Sequence, residues 1–220
     1  MIHIVDSICS TNDWLAKYHF EVDDTILAIE QTQGKGRRGN TWESKIGGFY
    51  ISTVSSNHKL LPFVVGISIM KVLEAYSSDL NLKWPNDIIL KGNKVGGILC
   101  EDFGNFSIIG IGINSENSPD ISNSTNLVSN GINLDKSVIL ASFLYNFDII
   151  SSFTSDKIIE IFTRYDCLIG NEIFWNDLSG VVKSIALDGS LVVESSGKEL
   201  KLYSEEVQLE KYCIIKLGKK

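Results

Sequence analysis

The amino-acid sequence predicts an α+β fold in which helices back a mixed, largely antiparallel sheet. Short apolar stretches rich in β-branched residues are separated by tight-turn residues such as Lys91-Gly92-Asn93-Lys94, which is typical of β-hairpins. A longer apolar segment after Pro62 is typical of a buried helix. The regular strand–helix–strand alternation of a doubly wound fold is absent from the pattern. We therefore expect a main domain over residues 1–166 and a small β barrel over residues 167–220.

Hydrophobic periodicity and turn residues give the order of the elements. Ser10 to Asp13 has the Ser-x-x-Asp pattern of a helix start, and further helices are predicted over residues 63–76, 140–150 and 156–165. A long Ser- and Asn-rich loop is predicted over residues 115–136. Strands of the main domain are predicted over residues 2–5, 25–31, 49–54, 82–84, 87–90, 95–100 and 106–113. Strands of the barrel are predicted over residues 172–175, 180–186, 191–194 and 199–203.

Composition is that of an ordinary folded protein, since 44% of the 220 residues are hydrophobic and 21% are charged. The net charge of −7 disfavours a broad nucleic-acid-binding surface. Four dispersed cysteines without a CxxC pair favour reduced thiols over disulfides or a zinc cluster. The N-terminus has no signal-peptide pattern, and the most apolar window, residues 60–70, is too short for a membrane span. We expect a cytoplasmic protein that binds neither membrane nor DNA.

The segment Gly34-Lys35-Gly36-Arg37-Arg38-Gly39 combines three glycines with three cationic side chains. Glycines let the backbone approach a ligand closely and expose its N–H groups, so the segment favours a phosphate or another anion. It is not a Walker loop, since GxxxxGK[ST] is absent, and it leads into Asn40-Thr41-Trp42 rather than into a helix. The alternative is a solvated, charged hairpin loop that binds no ligand.

Three further segments contain candidate ligand-binding residues. Lys83-Trp84-Pro85-Asn86-Asp87 presents a cation, an amide and a carboxylate, which suit a polyphosphate and its Mg²⁺, although an ordinary bulge and turn would have the same residues. Lys94 precedes a glycine pair in Lys94-Val95-Gly96-Gly97 and is placed either to reach over a ligand or to solvate a turn. The glycines of Gly110-Ile111-Gly112-Ile113-Asn114 leave room for a flat group on a strand, or for a closely packed helix.

In this order, the segments resemble the biotin protein ligase family. The resemblance runs from Asp6-Ser7-Ile8-Cys9-Ser10-Thr11-Asn12 to Gly110–Asn114, and the Gly/Arg loop together with Lys83–Asp87 is its most specific part. It implies a biotin/lipoate ligase-like catalytic domain followed by a small SH3-like barrel. It also implies an enzyme that activates biotin with ATP to biotinyl-AMP, releasing pyrophosphate. The biotin is then transferred to a lysine of a biotin carboxyl carrier protein, such as that of acetyl-CoA carboxylase.

The resemblance further implies roles for individual residues. Lys94, Arg37 and Lys83 would be catalytic, through cationic contacts with the reacting carboxylate and phosphate. Biotin would contact Ser10, Thr11, Asn12, Gln31, Lys35, Gly36, Arg37 and Lys94. ATP would contact Lys35, Arg37, Arg38, Trp42, Lys83, Asn86, Asp87 and Asn114, with Trp42 packing against adenine and Asp87 as a ligand of Mg²⁺.

The chain departs from the family pattern at two points. Lys35 stands where the family usually has arginine, which reduces a two-pronged phosphate contact to a point charge. Residues 205–210 contain no arginine, although bacterial relatives often have one late in the small domain. Because the match begins by Asp6, we expect no N-terminal DNA-binding domain; we also expect a monomer or a homodimer.

Two alternative functions stay open at this point. A lipoate-protein ligase or octanoyltransferase shares the core fold and the spacing of Lys94 and Gly97, but the Lys35–Arg38 cluster together with Lys83–Asp87 is not expected there. A non-catalytic module that senses biotin or a nucleotide is the other alternative. Biotin-dependent exchange of pyrophosphate into ATP distinguishes the three.

Overall fold

The computed structural model describes residues 1–18 and 20–209. Seven strands of its main sheet are β1 (Ile2–Ile8), β2 (Thr25–Gln31), β3 (Phe49–Ser55), β4 (Leu80–Lys83), β5 (Asp87–Leu90), β6 (Asn93–Asp102) and β7 (Ser107–Ile113). They lie in the order β1-β2-β3-β7-β6-β5-β4. Strands β1 and β2 are parallel, whereas the other neighbouring pairs are antiparallel. The predicted mixed, largely antiparallel sheet is confirmed.

All four predicted helices are present as α1 (Thr11–Lys17), α2 (Leu61–Leu73), α3 (Lys136–Ser151) and α4 (Ser155–Tyr165). Ser10 caps α1, since its Oγ accepts a hydrogen bond from the Asp13 backbone N–H at 3.3 Å. Pro62 lies in the first turn of α2, where its missing N–H costs nothing. None of the helices in the described residues is long and apolar enough to cross a membrane.

Strand β7 has two chemically different faces because successive side chains of a strand point to opposite sides. Ile109, Ile111 and Ile113 belong to the main hydrophobic core, together with the buried residues of α2. Gly110 and Gly112 face the other side of the sheet, towards α1 and the segment that follows the Gly/Arg loop. One face of β7 thus closes the core, and the other provides a floor without side chains at Gly110 and Gly112.

A second sheet follows the helices. Its strands are β8 (Glu172–Trp175), β9 (Leu178–Ile185), β10 (Leu191–Ser195), β11 (Lys198–Leu202) and β12 (Gln208–Leu209), in the antiparallel order β11-β10-β9-β8-β12. Four of them were predicted, whereas two-residue β12 is too short to give a periodic signal. Within residues 1–18 and 20–209 no pairing of β11 with β12 closes the sheet, so the predicted barrel is not confirmed. Residues 210–220, which we assigned to the small domain, lie outside the described residues.

Trp84 connects the two sheets. Its indole is 1% exposed, and Nε1 donates a hydrogen bond to the Gly189 carbonyl, in the turn between β9 and β10, at 2.9 Å. Its backbone N–H donates to Oδ2 of Asp166 at 3.1 Å, and Oδ1 of Asp166 accepts from the N–H groups of Leu168 and Ile169. The residue between the lysine and the proline of the predicted site segment therefore holds the second sheet against the first.

Candidate active site

A polar cluster lies where β2 and β3 meet the start of α1. Ser10, Thr11 and Asn12 are each less than 5% exposed. Oε1 of Gln31 accepts hydrogen bonds from the backbone N–H and the hydroxyl of Thr11 at 2.8 and 3.0 Å. Oγ of Ser52 lies 2.7 Å from Oγ1 of Thr11 and 2.5 Å from Oδ1 of Asn12. These five residues, which we call the polar cluster, concentrate hydrogen-bond donors and acceptors at one end of the glycine floor.

The floor beneath the polar cluster has to be glycine. A Cβ atom built at Gly110 would overlap the side-chain amide of Asn12. That amide also donates from Nδ2 to Oε2 of Glu101 on β6 at 2.6 Å. Gly110 therefore gives Asn12 its room, while Glu101 and Ser52 contact its two polar ends.

The Gly/Arg loop folds as an ordered hairpin. The Trp42 N–H donates to the Gly34 carbonyl at 2.8 Å, and the Gly36 N–H donates to the Asn40 carbonyl at 2.7 Å. Arg38 has a φ of 56°, a left-handed conformation that turns the chain back on itself. The hairpin shape is compatible with an anion-binding loop and with a solvated, charged hairpin. The contacts of the cationic side chains are therefore the relevant evidence.

The flat group on the glycine floor is an indole of the protein itself. A Cβ at Gly112 would overlap the Trp42 ring, and one at Gly97 would lie 3.1 Å from Cζ3 of that ring. Nε1 of Trp42 is buried and has no hydrogen-bond partner among the described residues. A buried donor without a partner is costly, which makes this N–H a candidate contact for a bound ligand.

Hydrogen bonds connect the polar cluster to Trp42. Nε2 of Gln31 donates to Oγ of Ser44 at 2.8 Å, and the Ser44 hydroxyl donates to the Trp42 carbonyl at 3.1 Å. A change in the position of either group would therefore be transmitted to the other.

An open cavity of about 160 Å³ lies beside the Trp42 indole. It brings together eight of the predicted site residues: Gly36, Arg37, Arg38, Trp42, Lys83, Asn86, Asp87 and Lys94. The complete lining comprises residues 36–38, 40–42, 83–87, 94, 97–99 and 204–207. The other predicted site residues, Ser10, Thr11, Asn12, Gln31, Lys35 and Asn114, do not line it. We call it the cationic cavity because of its arginine and lysine side chains.

Both arginines of the cationic cavity contact one backbone oxygen. Nη2 of Arg37 donates to the Ser204 carbonyl at 3.2 Å, and Nη2 of Arg38 donates to the same oxygen at 2.5 Å. Nη1 of Arg37 donates to Oδ1 of Asn86 at 3.1 Å, and Asn86 is held in turn by the Ile98 carbonyl. Burial, and secondly the charge of Arg38, lower the pKa of the Arg37 guanidinium from its usual value. Two guanidinium groups that share an oxygen acceptor show how an anionic oxygen can be bound here.

Two lysines of the candidate site are paired with carboxylates. Nζ of Lys94 lies 2.6 Å from Oδ1 of Asp87, and Nζ of Lys35 lies 2.5 Å from Oδ1 of Asp13. Asp87 is therefore engaged with a cation, and the described part of the chain brings no three His, Cys, Asp or Glu side chains together around a metal-sized site. The predicted Mg²⁺ contact of Asp87 stays a prediction.

Asn114 lies away from the cavity, at the end of β7. It is 1% exposed, and its Nδ2 donates to the Thr125 carbonyl at 3.0 Å and to Oγ of Ser124 at 3.3 Å. The side chain thus anchors the loop that follows β7, and its predicted contact with ATP stays a prediction. The sequence alone does not distinguish an asparagine that anchors a loop from one that contacts ATP, because either would follow a glycine-rich strand in the same way.

Some residues of the site were not predicted. Ser52 has its hydroxyl in a strand that is buried along its entire length. A polar group in such a strand needs a hydrogen-bond partner, and this was the signal that could have indicated Ser52 from the sequence. Glu101 follows the predicted strand over residues 95–100, and Ser44 follows Trp42. Neither residue belongs to a motif that would have indicated a role in the site. Residues 204–207 reach the cavity only because the second sheet is docked onto the first.

The chain is similar to known proteins both in its sequence and in its fold. Residues 4–114 match the family described as Biotin/lipoate A/B protein ligase. This match spans half of the chain, so the chain belongs to this family of ligase enzymes. It is 27% identical to the bifunctional ligase/repressor BirA of Bacillus spizizenii over 94% of the chain and 72% of the relative. It is 35% identical to the biotin–[acetyl-CoA-carboxylase] ligase of Paracoccus denitrificans over 43% of the chain and 45% of the relative. The biotin protein ligase of Aquifex aeolicus in complex with biotin and ATP superposes with a TM-score of 0.83 and 26% identity, covering 95% of this chain and 98% of that one.

Proposed function

We propose that this enzyme is an ATP-dependent biotin protein ligase. The observation that carries the proposal is the order of features along one face of the main sheet. The polar cluster lies at one end, Trp42 covers Gly97 and Gly112 in the middle, and the cationic cavity opens at the other end. This order suits a substrate with a polar head, an apolar tail and a carboxylate that reacts with a phosphate. The names of the similar ligases from Paracoccus denitrificans and Aquifex aeolicus support biotin as that substrate.

In this proposal biotin spans the face from end to end. Ser10, Thr11, Asn12 and Gln31 bind its head, since they bring buried hydrogen-bond donors and acceptors together at that end of the floor. Lys35, Gly36 and Arg37 lie over the tail and the activated carboxylate, and Lys94 contacts the carboxylate at the edge of the cavity.

The proposed ATP site is the cationic cavity. Arg37, Arg38 and Lys83 surround its phosphates, with Lys35 at the edge, and a phosphate oxygen takes the place that the Ser204 carbonyl has between the two guanidinium groups. Trp42 packs against adenine, and Asn86, Asp87 and Asn114 complete the proposed contacts. Fixed cations favour the first step because negative charge accumulates on the phosphates as the bond to pyrophosphate breaks.

Two steps complete the proposed reaction. A biotin carboxylate oxygen attacks the α-phosphorus of ATP and pyrophosphate leaves with the electrons of the broken P–O bond. The amine of the acceptor lysine then attacks the biotinyl carbonyl, loses a proton, and AMP leaves. Lys94, Arg37 and Lys83 are the residues proposed to stabilise the charge in both steps.

The acceptor and the organisation of the chain belong to the same proposal. The proposed acceptor is a lysine of a biotin carboxyl carrier protein such as that of acetyl-CoA carboxylase, the enzyme that the name of the Paracoccus ligase contains. The catalytic domain spans residues 1–166, and residues 167–220 form a small SH3-like domain whose residues 204–207 complete the ATP site. A requirement for Mg²⁺, a cytoplasmic location, a monomer or homodimer, and the absence of DNA binding remain predictions.

The decisive experiment is exchange of labelled pyrophosphate into ATP. A biotin ligase exchanges label only when biotin is present, because the reverse of the first step needs the adenylate. Exchange that responds to lipoate or octanoate, and not to biotin, would assign the chain to the lipoate branch of the family. Absence of exchange with every acid, together with binding of biotin in calorimetry, would identify a non-catalytic sensor. Transfer to a purified carrier domain tests the second step separately.

A further inference from the structure

Glu101 lies in the same row of β6 as residues of the candidate site. Residues two apart on a strand share a face. Gly97 in this row lies under the Trp42 indole, and Leu99 lines the cationic cavity. Glu101 is the next member of the row and lies where the row reaches the polar cluster.

The carboxylate of Glu101 fixes which way the Asn12 amide points. Nδ2 of Asn12 donates to Oε2 of Glu101 at 2.6 Å, whereas Oδ1 of Asn12 accepts from the Ser52 hydroxyl at 2.5 Å. A carboxylate only accepts hydrogen bonds, so the amide turned over would place two acceptors against each other. Because Asn12 is 3% exposed and lies against Gly110, water does not compensate for a wrong orientation.

Glu101 also lies close to the Gly/Arg loop. The hydrogen bond between Lys35 and Asp13 raises the pKa of Lys35, and the negative charge of Glu101 acts in the same direction. The carboxylate therefore contacts the polar cluster and also acts on the charge of Lys35. Among the described residues, it is the only carboxylate that accepts a hydrogen bond from a side-chain amide of the polar cluster.

We propose that Glu101 is a positioning residue that orients the Asn12 amide for the head of the bound substrate. The inference rests on the proposed function, in which Asn12 contacts that head. Glu101 itself touches no reacting atom in this arrangement. Its removal should weaken binding of biotin equally before and during the reaction, so that KM rises while kcat is retained.

The test compares Glu101→Ala, Glu101→Gln, Asn12→Ala and the Asn12→Ala/Glu101→Ala double variant with the unmodified chain. Glu199→Ala, a change at an exposed position of β11, is the matched control. Biotin affinity is measured by calorimetry, KM and kcat for biotin by pyrophosphate exchange, and folding by the thermal midpoint.

Glu101→Ala should raise Kd and KM for biotin about tenfold, which corresponds to about 1.4 kcal/mol. It should change kcat and the thermal midpoint little. Glu101→Gln should stay within about threefold of the unmodified chain, because its amide oxygen still accepts from Asn12. In the Asn12→Ala background the loss of Glu101 should add less than about twofold, since the residue acts through Asn12.

Unchanged biotin affinity in Glu101→Ala, with an unmodified chain that binds biotin, would overturn the inference and leave the proposed function intact. A full additional loss in the Asn12→Ala background would do the same, as it would mean that Glu101 acts through Lys35 or through stability. An unmodified chain that binds no biotin would overturn the proposed function and, with it, this role of Glu101.

Discussion

The ammonium group of Lys94 lies 2.6 Å from Oδ1 of Asp87 and 5.4 Å from the centre of the Trp42 ring. Lys94 is therefore held between a carboxylate and an aromatic face, with its side chain 38% exposed at the edge of the cavity. This contrasts with the solvated turn lysine that the sequence left as an alternative. An arriving anion meets a lysine whose position is already restricted, which lowers the entropy lost on binding.

Lys94→Met should reduce biotin-dependent pyrophosphate exchange by about 30- to 1,000-fold, since a cation that stabilises the transition state contributes about 2–4 kcal/mol. Lys91→Met changes an exposed lysine in the turn before β6 and serves as the control. Exchange rates at saturating ATP, with circular dichroism of each variant, make the measurement. Near-normal exchange in Lys94→Met would show that this lysine does not stabilise the transition state.

Arg37→Gly should shorten the half-life of enzyme-bound biotinyl-adenylate by about tenfold, because the guanidinium group supplies charge-assisted hydrogen bonds to an anion. We also expect the amides of residues 33–42 to exchange hydrogen more slowly when biotin is present, because the charges of Arg37 and Arg38 repel one another until an anion arrives. Retention is followed by gel filtration of the enzyme with labelled adenylate. Arg164→Ala, at an exposed position of α4, controls for loss of a positive charge. Equal retention in both variants, with no change in amide exchange, would leave the loop an ordinary charged hairpin.

Trp84→Phe should lower the free energy of unfolding by about 1–3 kcal/mol, because the Gly189 carbonyl is left without its donor in a buried junction. Urea unfolding followed by fluorescence and by circular dichroism measures the loss, and separation of the two curves would show that the chain no longer unfolds in one step. Tyr145→Phe, at a residue that is 69% exposed, is the control. A loss no larger than that of the control would show that the indole hydrogen bond contributes little to docking.

Asp166 gives the junction a defined pH dependence. Burial raises the pKa of its carboxyl from 3.8 to about 6, despite hydrogen bonds from three backbone N–H groups. The folded state therefore keeps the proton at a pH where the unfolded chain has lost it, so this group's contribution to stability falls as the pH rises from about 4 to about 6. Asp166→Asn does not titrate. The unfolding free energy of Asp166→Asn minus that of the unmodified chain should increase by about 1–3 kcal/mol across this window, measured by urea unfolding at pH 4, 5, 6 and 7. A difference that is constant with pH would contradict the raised pKa.

Much of the main sheet was predictable because each of its strands carries a local signal. β2 and β5 have the predicted bounds, and β7 begins one residue after the predicted start. The start of α2 was placed two residues late, since Leu60 offers no side-chain cap that would mark it. Strand β12 was less accessible, because a two-residue strand gives no periodic signal and its pairing with β8 joins residues far apart in the chain.

The site divided in a similar way. Arg37, Arg38 and Lys83 lie in short segments whose composition indicates anion binding, so their place at the cavity could be predicted from the sequence. Glu101 could not, because its partner Asn12 lies 89 residues away and only the sheet brings them together. The sequence placed Trp84 within the predicted site segment Lys83–Asp87. Only the tertiary structure shows that its side chain contacts the second sheet, through the hydrogen bond to the Gly189 carbonyl.

The alternation of isoleucine and glycine along β7 makes the strand sensitive to its reading frame. Deleting one residue before Gly110 would turn isoleucine side chains onto the floor beneath Asn12 and Trp42, and would leave glycines facing the core. Substitutions, by contrast, act on one face at a time. Libraries intended to alter the acid that the enzyme accepts should therefore keep Gly110, Gly112 and the length of this strand unchanged, because a Cβ at either glycine would overlap Asn12 or Trp42.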